Sequence, residues 1–133
     1  MIFSYTYTNL LNTKSNTSNL DKVPVGIPRN TASLWADYTV TSGPLNGVQA
    51  GAGLRYIGGS YGDTANSLLL SSATLVDLAL RYDLGRAFPS MHGWTGSLNA
   101  SNLLNRTYMA SCSNGSCYWG QGRLVLAGLK YQW

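Results

Sequence analysis

Apolar and polar residues alternate along most of the chain, and stretches rich in glycine, asparagine and serine interrupt the alternation. A period of two is typical of β-strands with one apolar and one polar face, and helical periodicity is nearly absent. The pattern predicts six strands, at about 2–8, 31–41, 47–57, 73–83, 94–102 and 122–133. We therefore expect an all-β, antiparallel meander that forms an open curved sheet if it stands alone.

Charged side chains are expected to fall on one face of these strands. In the third strand, for example, Ala52 and Leu54 oppose Arg55. The charges predicted to share the polar face are Asp37, Arg55, Asp77 and Arg81. Arg55 and Asp77 lie on neighbouring strands and are candidates for an ion pair, whose simplest role is that of a wall charge without a specific function.

Alternation alone does not separate a soluble β-sandwich from a membrane barrel, because both bury one face of each strand. Two features favour the membrane. The predicted strands are about 9–11 residues long, as tilted transmembrane strands are, whereas soluble strands commonly have about 5–6 residues. Aromatic residues also gather at strand ends, where a barrel has its interfacial girdle. They are Tyr56, Tyr82, Trp94, Tyr131 and Trp133.

The predicted connections alternate between long and shorter. Segments 9–30, 58–72 and 103–121 are long, and segments 42–46 and 84–93 are shorter. Outer-membrane barrels have short periplasmic turns and longer extracellular loops. We therefore expect the three long segments to lie outside the cell.

Composition supports the same interpretation. Charged residues make up 11% of the chain, well below the roughly 25% of an average soluble domain. No window of about 18 consecutive apolar residues is present, so the sequence predicts no transmembrane helix. The net charge of +4 comes from scattered Lys and Arg without a basic cluster, which argues against a nucleic-acid partner.

The sequence lacks the patterns that would indicate catalysis or a metal. His92 is the single histidine and has no partner at the spacing of a catalytic triad. Gly51 and Gly53 lack the third glycine and the following helix of a dinucleotide site. No carboxylate cluster suggests metal or glycosidase chemistry. We therefore expect no enzyme activity, no catalytic residue, no metal and no cofactor.

Cys112 and Cys117 lie close together in a polar stretch that contains glycine. Their spacing matches neither a CxxC redox motif nor a four-ligand zinc site. A local disulfide in an oxidising compartment is the favoured interpretation, and two free thiols are the alternative.

Several short motifs follow one another in an order that is specific, although each motif is weak alone. The chain reads VGIPRNTASLW at 25–35, GLRYIG at 53–58 and YGDTAN at 61–66. It then reads NLLNRTY at 102–108, continues through two cysteines to a Gly-Arg pair, and ends on a tryptophan. This ordered set covers nearly the whole chain and resembles the end of ferrichrome-type TonB-dependent siderophore receptors.

The resemblance implies a segment of a transmembrane β-barrel of about 22 strands in the bacterial outer membrane, of which residues 1–133 supply about the last six. Members of that family carry an amino-terminal plug, bind ferric siderophores from outside and import them with energy from the TonB complex. The sequence shows no plug, TonB box or signal peptide. We therefore expect a fragment of a longer protein that meets TonB through the missing plug.

The same resemblance points to individual residues. In that family, aromatic side chains in the last long loop can face the siderophore, and the alternative is that Tyr118 and Trp119 only pack the loop against the barrel mouth. The side chains with implied ligand contacts are Tyr118, Trp119, Tyr61 and Tyr108. Leu129, Tyr131 and Trp133 resemble the terminal signal read by the barrel-assembly machinery, through an exposed strand edge. The expected partners are outer-membrane lipid, the barrel-assembly machinery, the TonB complex and a ferric siderophore.

Other interpretations stay open. The cargo is alternatively cobalamin, another metal chelate or a saccharide. The chain is alternatively a non-transporting remnant of a broken gene, or a small soluble β-domain with leucines in a water-excluding core. The leucines whose positions separate this last alternative from membrane strands are Leu34, Leu54, Leu78 and Leu129.

Overall fold

The computed structural model describes residues 1–43, 45–113 and 116–133. Pro44 of the predicted turn 42–46, and Asn114 and Gly115 of the predicted connection 103–121, lie outside the described residues. The strands are β1 (Ile2–Tyr7), β2 (Asn30–Thr39), β3 (Val48–Ile57), β4 (Ser60–Tyr61), β5 (Leu69–Leu70), β6 (Ala73–Asp83), β7 (Trp94–Ser101), β8 (Met109–Ser113), β9 (Ser116–Trp119) and β10 (Leu124–Tyr131).

The six long strands form one antiparallel sheet in the order β1-β2-β3-β6-β7-β10. Each long strand therefore pairs with the next long strand along the chain, which confirms the predicted meander. The predicted strand ends agree with the observed ones to within two residues. Within the described part of the chain, β1 and β10 each pair on one side only, so the sheet is open, as expected.

Three long loops leave the same end of this sheet. We name them L1 (residues 8–29, between β1 and β2), L2 (58–72, between β3 and β6) and L3 (102–123, between β7 and β10). The sequence pattern had indicated loops throughout, and this was wrong in two places. L2 contains the hairpin β4–β5 and L3 contains the hairpin β8–β9. Strands of two to five residues have too few alternations for periodicity to reveal them.

The connection between β6 and β7 also contains regular structure that periodicity did not predict. A single helical turn, α1 (Leu84–Ala87), is followed by a 3₁₀ turn, Pro89–Met91. The Asp83 carboxylate accepts a hydrogen bond from the Gly85 N–H and so caps α1. No helix in the described residues is long and apolar enough to cross a membrane.

The register brings the apolar positions of neighbouring strands onto one face. Phe3, Leu34, Leu54 and Val76 form one row across four strands, because directly paired residues point to the same side of a sheet. A second row contains Leu78, Ala100 and Val125. Leu34 is half-buried, and Leu54, Leu78 and Leu129 are 47%, 38% and 62% exposed. These leucines are not packed into a water-excluding core, which excludes the soluble alternative.

The opposite, polar face is concave. A cleft of about 530 Å³ on this face is lined by side chains from β2, β3, β6, β7 and β10. One cleft touches five successive strands only if the sheet curves around it. The expected curvature is therefore confirmed, with the charged face inside the curve.

Buried side chains are concentrated at the loop end of the sheet. Leu75 is 1% exposed although its register partner Arg55 places it on the polar face. Other buried residues come from the long loops and from the adjoining strand ends. They are Val23, Leu70, Ala73, Ala100, Asn102 and Cys112. Burial is therefore concentrated in the long loops and where they meet the sheet.

Candidate functional site

The centre of the concave face carries both signs of charge. Asp37 and Arg81, two of the four predicted wall charges, line the cleft together with Lys130. The remaining lining mixes polar side chains such as Gln49 and Asn99 with apolar ones such as Trp35 and Ala79. The three charged groups in this cleft need water or a hydrogen-bonding partner, so the face does not suit contact with lipid.

A tryptophan lies across the cleft wall on two glycines. A Cβ added at Gly51 would lie 2.6 Å from the Trp35 ring, and one at Gly53 would overlap the other edge of the same ring. Only glycine at both positions leaves room for the indole. The sequence had suggested these glycines only as a dinucleotide motif to reject, and their role as a seat for Trp35 went unnoticed.

The other two predicted wall charges form the expected ion pair near the loop end. The Arg55 guanidinium donates two hydrogen bonds to Asp77, with Nη2 2.9 Å from Oδ1. Asp77 Oδ1 also accepts a hydrogen bond from the main-chain N–H of Asn102, at 2.9 Å. The pair therefore connects β3 and β6 to the beginning of L3, which is more than the sequence implied.

Asn102 joins the two ends of L3. Its side-chain amide donates to the carbonyl oxygens of Arg106 and Gln121, each at 2.9 Å, and its Oδ1 accepts from the Arg106 N–H at 2.8 Å. Asn102 is 2% exposed and has a φ of 49°, a left-handed conformation that asparagine tolerates better than most residues. In the sequence, this asparagine was notable only as part of a family motif.

L3 carries a disulfide-closed hairpin. Cys112 and Cys117 are joined by a disulfide and face each other across β8 and β9, which confirms the favoured interpretation of the two cysteines. Tyr118 and Trp119 follow on β9 and are 61% and 65% exposed. The hairpin therefore presents two aromatic rings to its surroundings.

The other two candidate aromatic residues are more enclosed. Tyr108 packs its ring against Gly120 at the base of the hairpin. Tyr61 lies in L2, is half-buried, and its carbonyl oxygen accepts a hydrogen bond from the Gly26 N–H of L1. The four candidate aromatics thus belong to two adjacent loops, with Tyr118 and Trp119 the most available for contact.

L2 is shaped by one carboxylate. Asp63 accepts hydrogen bonds from the Ser67 hydroxyl, at 2.6 Å, and from the Leu68 N–H, at 2.7 Å. The Ser67 hydroxyl, supported by the Leu68 N–H, lowers the pKa of Asp63 below its ordinary value. The ionised form of Asp63 therefore holds the turn between β4 and β5.

The end of the sheet away from the long loops carries an aromatic cluster on the apolar side. The rings of Trp94 and Tyr131 are 5.0 Å apart, and those of Tyr131 and Trp133 are 6.4 Å apart. Leu129 and Tyr131 lie on β10, whose outer edge is unpaired within the described residues. Of the residues predicted to form an assembly signal, Leu129 and Tyr131 are therefore exposed on a strand with an open edge, and the exposed Trp133 follows the end of that strand.

Comparison with known proteins gives a consistent set of relatives. The family model "TonB dependent receptor-like, beta-barrel" matches residues 1–103. The chain is 44% identical over 133 residues to the ferrichrome outer membrane transporter/phage receptor of Escherichia coli (strain K12), which covers 99% of this chain and 17% of that protein. It is 38% identical over 129 residues to the ferrioxamine B receptor of Salmonella typhimurium (strain LT2), covering 96% of this chain and 18% of that protein. The chain thus spans about a sixth of the length of these curated relatives.

Solved structures share the fold. The ferric preacinetobactin receptor from Acinetobacter baumannii matches with a TM-score of 0.82 and 24% identity, over 96% of this chain and 18% of that chain. The pyoverdine outer membrane receptor from Pseudomonas aeruginosa matches with a TM-score of 0.62 and 23% identity, over 80% of this chain and 16% of that chain. The open sheet therefore corresponds to one arc of a much larger barrel.

Proposed function

Because the chain belongs to the TonB-dependent receptor β-barrel family, we propose that it forms the carboxy-terminal strands of a receptor for the uptake of a ferric siderophore. The family occupies the outer membrane of Gram-negative bacteria. The apolar face then contacts lipid, and the concave face lines the lumen. L1, L2 and L3 lie outside the cell.

One observation carries this proposal: the three long loops contact one another at one end of a sheet whose outer face is apolar and whose inner face is charged. A receptor that admits cargo from one side needs this polarity. Lipid solvates the exposed leucines of the apolar face, and water or protein solvates Asp37 and Arg81 inside the curve.

The cargo is proposed from the aromatic hairpin of L3. Tyr118 and Trp119 present exposed rings beside a disulfide that restricts the hairpin, and rigid aromatic faces suit a large, partly apolar ferric chelate. Tyr61 and Tyr108 support the same surface from L2 and from the hairpin base. Two relatives are a ferrichrome transporter and a ferrioxamine B receptor, so ferrichrome and ferrioxamine B are the first cargoes to test.

The remaining residues receive roles within the complete receptor. We assign Asp37, Arg55, Asp77 and Arg81 to the lumen wall, where Asp37 and Arg81 face a plug that connects the barrel to the TonB complex. Leu129, Tyr131 and Trp133 form the edge that the barrel-assembly machinery augments with another strand. The chain acts in transport, and we propose no enzyme activity for it.

A chimeric receptor tests this proposal directly. The matching stretch of the Escherichia coli ferrichrome transporter is replaced by residues 1–133, and the chimera is produced in cells that lack their own copy. We expect uptake of radioiron-labelled ferrichrome that depends on TonB. Replacing both Tyr118 and Trp119 by alanine should raise the Kd for ferrichrome about tenfold or more, because each aromatic contact contributes about 0.5–1.5 kcal/mol beyond burial.

Barrel assembly is measured in the same cells, so that failures are separable. A chimera that reaches the outer membrane but binds neither ferrichrome nor ferrioxamine B would contradict both of these as its cargo. Binding of cobalamin, another chelate or a saccharide by that chimera would establish the alternative cargo instead. A chimera that never forms a heat-modifiable barrel would support the interpretation of the chain as a non-transporting remnant.

A further inference from the structure

One side chain in L2 is hydrogen-bonded to L1 in both directions. The Asn66 side-chain amide donates to the Val23 carbonyl oxygen at 2.9 Å, and its Oδ1 accepts from the Val23 N–H at 2.8 Å. An asparagine side chain is an amide, so this pair reproduces the exchange of hydrogen bonds between two residues of neighbouring strands. Val23 is 5% exposed, and water has little access to the peptide groups that Asn66 satisfies.

The backbone of L2 presents Asn66 in the required direction. Asn66 has a φ of 59°, and the turn that contains it is held by the hydrogen bonds of Asp63 to Ser67 and Leu68. A second contact between the loops lies nearby, where the Gly26 N–H of L1 donates to the Tyr61 carbonyl oxygen at 2.8 Å. L1 and L2 are therefore joined at two points.

L2 in turn contacts the disulfide hairpin of L3. A Cβ at Gly62 would lie 3.0 Å from the Cys112 Sγ and 2.9 Å from a methyl carbon of Leu68. Cys112 is 5% exposed. The sulfur of the disulfide thus packs on the backbone of L2, and a contiguous series of contacts runs from the hairpin through Gly62 to Asn66 and Val23.

From these contacts we propose that Asn66 is a positioning residue that locks L1 to L2, and that the packing of Cys112 on Gly62 extends this lock to L3. The three loops then move as one layer, and the disulfide stabilises L2 as well as its own hairpin. The lock does not depend on which cargo the receptor binds. Its effect on cargo affinity rests on the proposed function.

The test uses the complete receptor in isolated outer membranes and a variant that removes only the side chain. Asn66→Gly keeps the left-handed backbone, because glycine adopts positive φ without strain, and deletes both hydrogen bonds to Val23. Asp21→Gly is the matched control, since Asp21 is also left-handed, with a φ of 56°, and lies in L1. Asn66→Asp keeps the acceptor for the Val23 N–H but sets an oxygen against the Val23 carbonyl.

Two readouts report the lock without any cargo. Trypsin cleavage after Lys22, next to Val23, should become about tenfold faster in Asn66→Gly, because cleavage follows the population of the open loop. Cleavage after Lys14, which lies nearer the start of L1, should not change in any variant. Amide hydrogen exchange at Val23 and Gly26 should also be faster in Asn66→Gly. The exchange rates of Asn66→Asp should be similar to those of Asn66→Gly, and those of Asp21→Gly similar to those of the unmodified receptor. Equal cleavage at Lys22 in Asn66→Gly and the unmodified receptor would overturn the proposal.

The extension to L3 is tested by replacing both cysteines with serine. We expect faster amide hydrogen exchange at Gly62 and Leu68 as well as in the hairpin. Faster exchange in the hairpin alone would overturn the extension of the lock to L3. Siderophore binding is measured separately. If the unmodified receptor bound no siderophore but Asn66→Gly were still cleaved faster after Lys22, the proposed function would be refuted and the lock would stand. Siderophore binding with unchanged protection in Asn66→Gly would refute the lock alone.

Discussion

The two faces of the sheet are held by different kinds of interaction. The apolar face displays exposed leucines such as Leu78 and Leu129, which need only an apolar solvent. The concave face depends on specific fits, such as Trp35 on two glycines and Asp77 between Arg55 and Asn102. We therefore expect the apolar face to tolerate changes of shape but not of charge. We expect the concave face to tolerate changes of charge better than changes of shape.

The largest expected effect is that of a charge on the apolar face. Leu78→Arg lies at the middle of β6 and should destabilise the complete barrel by about 2–4 kcal/mol, since lipid cannot solvate a guanidinium at that depth. Urea unfolding in lipid vesicles measures this loss. Asn99→Arg is the control, because Asn99 pairs with Ala79, next to Leu78, and lines the concave cleft. A similar loss in both variants would mean that the two faces do not differ in their surroundings.

A loss of hydrogen bonding at the root of L3, where Asn102 contacts Asp77 of the concave face, should come next in size. Asn102→Ala leaves the carbonyl oxygens of Arg106 and Gln121 and the Arg106 N–H without the partners they have in this structure. The loss of three part-buried hydrogen bonds, each contributing about 0.5–1.5 kcal/mol, should reduce the free energy of unfolding by about 2 kcal/mol. The measurement is again urea unfolding in vesicles, together with protease sensitivity of L3.

The matched control for that variant is Asn16→Ala, an exposed asparagine of L1. It should leave both the unfolding midpoint and the cleavage of L3 unchanged. If Asn102→Ala behaved like Asn16→Ala, the hydrogen bonds at the root of L3 would be dispensable, and the contrast between the faces would rest on packing alone.

The sequence predicted the apolar face better than the concave one. Alternation determines which side chains share a face, so the strand positions and the pairing of Arg55 with Asp77 were accessible from periodicity. The seat of Trp35 on Gly51 and Gly53 was not, because it depends on the register between β2 and β3. Register is a property of two strands and leaves no mark in either one alone.

The contacts between loops were equally inaccessible. Asn66 and Val23 are 43 residues apart, and nothing in either segment indicates the other. Left-handed asparagines gave a partial signal, since Asn66, Asn102 and Asn105 all have positive φ and asparagine is enriched at such positions. The family motifs around 61–66 and 102–108 contain these asparagines, so the resemblance located the residues without explaining them.

The smallest expected effect is a pH dependence confined to L2. It sharpens the contrast because L2, like the concave face, depends on specific hydrogen bonds and not on an apolar solvent. The Ser67 hydroxyl lowers the pKa of Asp63 in the folded protein, so the ionised carboxylate stabilises the turn at every pH above the ordinary carboxyl value of about 3.9. This contribution is lost as the pH falls through the lowered pKa.

Amide exchange at Leu68 should therefore accelerate at acidic pH, relative to an amide of the sheet such as that of Ala52. Ser67→Ala should move this acceleration to higher pH. An identical profile in Ser67→Ala would show that the turn is held by its backbone hydrogen bonds, and that ionisation of Asp63 does not influence how L2 presents Asn66 to L1.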